Sequence, residues 1–219
     1  MNDAVAAFRA QYREQHIGRH YRGWLHFGFT VSMASTIIVL CALQLHDVTP
    51  WEWLTLPLTF VYANFAEYFG HKGPMHHLRP GLRLVYERHT RQHHRFFTET
   101  EMAFESPRDF KAVLFPPVLV TFFLLAFGTP MALLLTWLTP PNVGYLFALT
   151  AAAYFLNYEL LHFAHHLPSE HWVSRLPGMH VLRRLHTDHH DPKLMARYNF
   201  NISYPLGDWV FGTLYRGKA

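Results

Sequence analysis

The sequence predicts an all-α integral membrane bundle of about four transmembrane helices, and three observations carry that prediction. Half of the 219 residues are hydrophobic and only 16% are charged. The apolar residues are gathered into long blocks instead of amphipathic stripes, the pattern of a chain that has lipid for a solvent. Every Lys and Arg lies outside those blocks.

Taken in order, residues 1–23 form a polar, basic N-terminal segment. Its stretch 4–23 (AVAAFRAQYREQHIGRHYRG) predicts either a basic amphipathic helix lying on the membrane or a flexible tail, and so polar a start argues against a signal peptide. Residues 24–45, 51–70, 112–138 and 143–161 are each near or above the roughly 20 residues a crossing needs. The third is ambiguous. At about 1.5 Å per residue its length corresponds to a rod of roughly 40 Å, one tilted or kinked helix, whereas Pro116, Pro117, Gly128 and Pro130 could break it into a hairpin. With no internal repeat, low-complexity tract or soluble second domain, the chain reads as one membrane domain over 1–219: the N-terminal segment, spans within 24–161, and a C-terminal part over 162–219.

Charge placement fixes the expected topology. With four crossings, the N-terminus, residues 71–111 and everything after 161 share one side, and only the links near 46–50 and 139–142 occupy the other. The first side carries 4, 8 and 7 Lys and Arg in those three parts, all 19 in the chain. The positive-inside rule makes that side cytoplasmic, and an odd number of crossings would destroy the pattern. Topology and anionic lipid head groups thus account for the basic balance, without nucleic acid.

Histidine supplies the chemistry. Of 18 histidines, 14 lie between His71 and His190, twelve of them in four clusters, HKGPMHH (71–77), HTRQHH (89–94), HFAHH (162–166) and HTDHH (186–190), with His171 and His180 between the last two. Neutral imidazole is the commonest metal ligand and suits iron, zinc, copper and nickel. All four clusters emerge on the expected cytoplasmic side. His89 with His93, His162 with His166, and His186 with His189 and His190 have i, i+3 or i, i+4 spacing, which predicts shared helical faces. Together the clusters offer about ten imidazoles, enough for two metal ions, where a structural zinc needs only four ligands.

These motifs, HKGPMH, HTRQHH, HFAHH and HTDHH in this order around hydrophobic spans, resemble the histidine boxes of the fatty acid hydroxylase/sterol desaturase superfamily of integral membrane oxygenases. The ending NISYPLGDWVFGT (201–213) resembles that family's segment after its last box, and the resemblance covers about residues 60–213. It implies a histidine-ligated dinuclear centre, expected to hold iron although zinc suits the same ligands, that activates O2 and attacks an unactivated C–H bond of a lipid. The ligands it implies are His71 and His76, then His89, His93 and His94, then His162 and His166, then His186, His189 and His190. The second box has three residues between its first histidine and the HH pair, where fatty acid hydroxylases usually have two, so the place of His89 stays open. Gly73 and Pro74 leave His76 and His77 as alternatives, and His165 competes with His166.

Ligating imidazoles usually need a partner on their second nitrogen. Glu67, four residues before His71, and Glu159, three before His162, are placed to serve as catalytic carboxylates, either as ligands or as such partners, and a carboxylate near the end of an apolar span is costly without a function. Asp188 and Asp191 are weaker candidates. His16, His20, His26, His46, His77, His171 and His180 read as structural or interfacial, and Cys41, the single cysteine, as a small apolar residue. Since GxGxxG, CxxC and haem motifs are all missing, a separate electron donor of cytochrome b5 or ferredoxin type is expected. The partners are then a lipid substrate, the membrane and that donor. The competing class is a metal transporter, but transporters place ionisable ligands near the bilayer midplane, and here the clusters lie at or beyond span ends.

Overall fold

The computed structural model describes residues 2–217; Lys218, the last cation in the topology count, lies outside them. The described residues are helical, with no β-strand among them. In chain order the α-helices are α1 (Asp3–His16), α2 (Gly23–Ala42), α3 (Thr55–Gly70), α4 (Arg83–Tyr86), α5 (His94–Phe96), α6 (Phe110–Val113), α7 (Pro117–Thr121), α8 (Thr129–Leu138), α9 (Pro141–His165), α10 (Met179–His189) and α11 (Leu206–Val210). The wider π-helical turns occupy His71–Met75, Glu87–His93 and Phe122–Gly128.

The chain divides into two units, and helices α3 and α9 each begin in one and end in the other. The apolar unit comprises Trp24–Ala63 and Phe115–Glu159. Ala34, Val120, Leu124 and Ala152 form its small core, with Met33, Ile37, Phe115 and Phe155 packed around them. Two helices here are long and apolar enough to cross a membrane, Gly23–Ala42 with 20 residues and Pro117–Leu138 with 22. Little of either is covered by protein, 17% and 11% respectively. A core helix of a water-soluble protein would be mostly covered. Exposed apolar surface of this extent marks a contact with a membrane or with another protein.

The region expected over 112–138 is therefore one helix, without a hairpin, and it starts at Pro117. Pro130 removes an amide N–H and crowds the carbonyl four residues back. The π-helical turn just upstream spares the helix a break, and the Thr129 hydroxyl lies 3.5 Å from the Leu124 carbonyl. The other two expected crossings are less complete. Helix α3 has 16 residues, about 24 Å of rise against a hydrocarbon core of about 30 Å. Helix α9 is long, 25 residues, but Asn157, Glu159 and His162 dilute its apolar character. The links 46–50 and 139–142, expected on one side, do lie side by side: the Asn142 side chain donates to His46 O at 2.8 Å and accepts from His46 N at 3.2 Å.

The second unit comprises the chain up to Gly23, Asn64–Leu114 and the chain from Leu160 onward, and it contains every histidine of the four clusters. The N-terminal segment belongs to it as folded structure, with a helix over most of its length. Asn2 caps α1 by accepting from Ala4 N at 3.0 Å. Arg9 and Tyr12 of α1 are buried, and Arg13 grips the buried Asp109 with two nitrogens, at 2.8 and 2.9 Å.

Candidate metal centre

Two groups of imidazoles form in the second unit. In the first, His71, His76, His89, His94 and His189 place ring nitrogens within 4.8 Å of one another; in the second, His93, His166, His186 and His190 do the same. His162 joins by its Nε2, 3.2 Å from His93 Nε2. All ten are buried. The groups abut, with the His94 and His190 rings stacked at 4.3 Å between centroids.

The π-helical turns explain which residues meet. In an α-helix, residues five apart point about 140° away from each other, but a π turn bonds i to i+5 and brings them into line. His71 and His76 thus face each other at 3.1 Å between Nε2 atoms, and His89 and His94 at 3.0 Å. This corrects the expected pairing of His89 with His93. Those rings stack at 5.3 Å, yet His89 joins the first group and His93 the second. Similarly, His189 joins the first group while its neighbours His186 and His190 join the second.

Hydrogen bonds fix the tautomers. Five imidazoles give their Nδ1–H to backbone carbonyls: His71 to Phe200, His93 to Ala112, His166 to Met102, His189 to Tyr198 and His190 to Phe97. For His76 the argument is indirect. The Thr90 hydroxyl spends its proton on Met75 O at 2.6 Å, so towards His76 Nδ1, at 3.4 Å, it can only accept. His71, His76 and His189 therefore all present Nε2 lone pairs, and His76 Nε2 lies 3.1 and 3.0 Å from the other two. In the second group the Nε2 lone pairs of His166 and His190 converge on His186 at 3.1 and 3.2 Å. Lone pairs held this close repel unless a cation lies between them. Burial, with repulsion from neighbouring imidazoles added for most, pushes the pKa of each well below the ordinary histidine value, and that of His189 to about 4. The site is thus neutral, dry and rich in unshared nitrogen pairs, which fits borderline transition metals and exceeds the needs of one structural zinc.

The open alternatives resolve by contact. His77 is exposed and bonds Lys72 O at 2.8 Å, outside both groups. His165 is buried but turns its Nε2 to Ile202 O at 3.1 Å, leaving His166 to face the group. Backbone carbonyls take the second nitrogen of five of the ten imidazoles. Glu67 accepts from Ile202 N and Ser203 N at 2.5 and 3.0 Å and from the Ser203 hydroxyl at 2.5 Å. Glu159, in the other unit, accepts from Phe115 N at 3.3 Å, and its Oε1 has no hydrogen-bond partner. Asp191 caps its own turn through Lys193 N.

Sequence reasoning missed the scaffold under the carbonyls. The fully buried Asp208 accepts from Phe200 N, Asn201 N and the Thr213 hydroxyl at 2.9, 2.7 and 2.6 Å. Asn64 donates to Tyr204 O at 2.7 Å and accepts from Gly207 N at 3.1 Å. The signal was present in the segment NISYPLGD, but only as a stretch, with no residue singled out.

All-helical architecture, two helices long and apolar enough to cross a membrane, and buried imidazole groups that could hold metal ions define a class of histidine-rich helical proteins. The description "Fatty acid hydroxylase" belongs to a family model that matches residues 56–213, more than half of the chain. The chain belongs to the fatty acid hydroxylase family, within the fatty acid hydroxylase/sterol desaturase superfamily. That family implies an oxidoreductase of the lipid hydroxylase or desaturase type. No curated protein and no solved structure matches the chain.

Proposed function

We propose that this protein is a membrane-bound, O2-dependent oxygenase with a dinuclear iron centre that hydroxylates an unactivated C–H bond of a lipid: an acyl chain, sphingolipid, sterol or carotenoid. The observation that carries the reading is the pair of abutting imidazole groups with lone pairs turned inward, lying wholly within the family-matched segment. His71, His76, His89, His94 and His189 would hold one ion, and His93, His166, His186 and His190 the other, with His162 beside His93. When bound, the metals supply the redox chemistry needed to activate O2. The protein's own part is to fix five of the tautomers through backbone carbonyls, to keep the imidazoles neutral, and to exclude water from the site.

Hydroxylation of one C–H by one O2 consumes two electrons and two protons and releases water. The chain carries no motif for a cofactor able to supply those electrons, so a separate donor of cytochrome b5 or ferredoxin type completes the system. Four crossings are part of the proposal, with the histidine boxes on the cytoplasmic face. The placement of every Lys and Arg and the His46–Asn142 contact support that topology.

The test is mass spectrometry of total lipids from cells expressing the wild type or His189→Ala with oxygen and a donor present. A species gaining one oxygen only with the wild type is expected. Loss of two hydrogens would make the enzyme a desaturase, and identical lipids would count against an oxygenase.

A further inference from the structure

We propose that Arg9, on the N-terminal helix and outside the family-matched segment, is a positioning residue for the second histidine group and not for the first. Only 2% of Arg9 is exposed. Its Nε donates to Phe96 O at 2.8 Å, one terminal nitrogen to Glu101 O at 2.6 Å and the other to Glu105 Oε1 at 2.8 Å. The guanidinium lies over the rings of Phe96 and Phe97, at 5.0 and 5.6 Å from their centroids.

Each backbone carbonyl that Arg9 holds immediately precedes a residue whose own carbonyl orients an imidazole. Phe97 O, after Phe96, takes the Nδ1–H of His190, and Met102 O, after Glu101, takes that of His166, both at 2.8 Å. The Phe97 ring also packs against His166 at 4.1 Å and His93 at 5.3 Å. One planar fork thus pins both ends of the segment 96–102, against which His93, His166 and His190 are set. A lysine ammonium is a point donor and cannot span the two carbonyls as the fork does. A surface ion pair with Glu105, itself 45% exposed, would not require burying the cation. Burying a charge is costly unless it is fully hydrogen-bonded, and here it is placed where it orders the segment. The first group has its own brace, since Tyr198 O and Phe200 O belong to the segment that Asp208 secures.

This inference rests on the dinuclear reading above, and metal stoichiometry separates the two. The full-length protein in detergent, stripped of metal, is titrated with Co2+ and the bound metal counted by elemental analysis. The wild type should take up two equivalents, and Arg9→Met one, with affinity for the other weakened about tenfold or more, as when the outer partner of a ligand is lost. Adding His190→Ala to Arg9→Met should cost no further tight equivalent, whereas adding His189→Ala should remove the remaining one. Glu105→Gln, which removes the ion pair but keeps both carbonyl bonds, should retain two, and Asp208→Asn should weaken the first group instead. If Arg9→Met does not fold, Arg9→Lys serves in its place, and loss of one equivalent is again expected. Two tight equivalents in the Arg9 variants, or equal weakening of both groups, would overturn the positioning role and leave the dinuclear centre standing. Fewer than two in the wild type would overturn both.

Discussion

Acidifying the metal-stripped protein from pH 7.5 to 5.5 is expected to unfold it. Eleven buried histidines, the nine of the two groups with His162 and His165, have their pKa held down in the fold, chiefly by burial, and His165 and His189 come to about 4. In the unfolded chain each titrates near 6.5. The folded pKa lies below the unfolded one, so the unfolded state binds more protons. Stability is full above about pH 7.5, falls through 6.5 and goes on falling towards the depressed folded values. Between pH 7.5 and 5.5, protonating one unfolded-state histidine is worth about 1.4 kcal/mol, so eleven that stay neutral in the fold set a ceiling of about 15 kcal/mol. That equals or exceeds the whole stability of a typical domain, about 5–15 kcal/mol. The assay is thermal unfolding of the chelator-treated protein in detergent at constant ionic strength, followed by near-ultraviolet circular dichroism. A steep fall in Tm, with tertiary signal lost before pH 5.5, is expected. A Tm unchanged over that range would mean that the histidines accept protons inside the fold, and the dry, neutral site described above would be wrong.

Two further outcomes test the local geometry. His77→Ala should keep both metal equivalents and change stability by no more than about 0.5 kcal/mol, as surface substitutions do, whereas His76→Ala should weaken metal binding about tenfold or more; the reverse ranking by metal titration would reassign the first box. Gly207→Ala would bring a methyl to 2.7 Å from Asn201 Oδ1 and 2.8 Å from Tyr68 Cβ, so a cost of about 1–3 kcal/mol is expected from overpacking. An unchanged unfolding midpoint would show that the brace around Asp208 gives way freely.

The parts of this protein that were legible in the sequence are those written in composition and residue type. Apolar blocks marked the helices now seen at Gly23–Ala42 and Pro117–Leu138, and the histidine clusters contained all nine residues that make up the two groups. What stayed hidden depends on backbone. A carbonyl has no residue type, so nothing in the sequence could show that the backbone of Phe97, Met102, Ala112, Tyr198 and Phe200 would orient five of the imidazoles. Arg9 was hidden for a related reason: from sequence it was one cation in a basic segment, and only the fold of residues 96–105 gives it acceptors. The share-out of histidines between the groups was hidden too, because i, i+4 reasoning presumes an α-helix where the chain winds as a π turn.

That share-out gives the HH doublets a physical meaning. Successive residues on a helix point about 100° apart, so a doublet cannot place both imidazoles in one cluster without distortion, but it reaches two neighbouring clusters at once. His93 and His94 do this, as do His189 and His190, each doublet sending one ring to each group. The π turn then decides the partner of the first histidine of the second box. With three residues between His89 and the doublet, an α-helix would align His89 with His93; the wider turn aligns it with His94 instead. The extra residue relative to the usual family spacing is thereby absorbed in the winding of the helix, and His89 keeps a place in the first group.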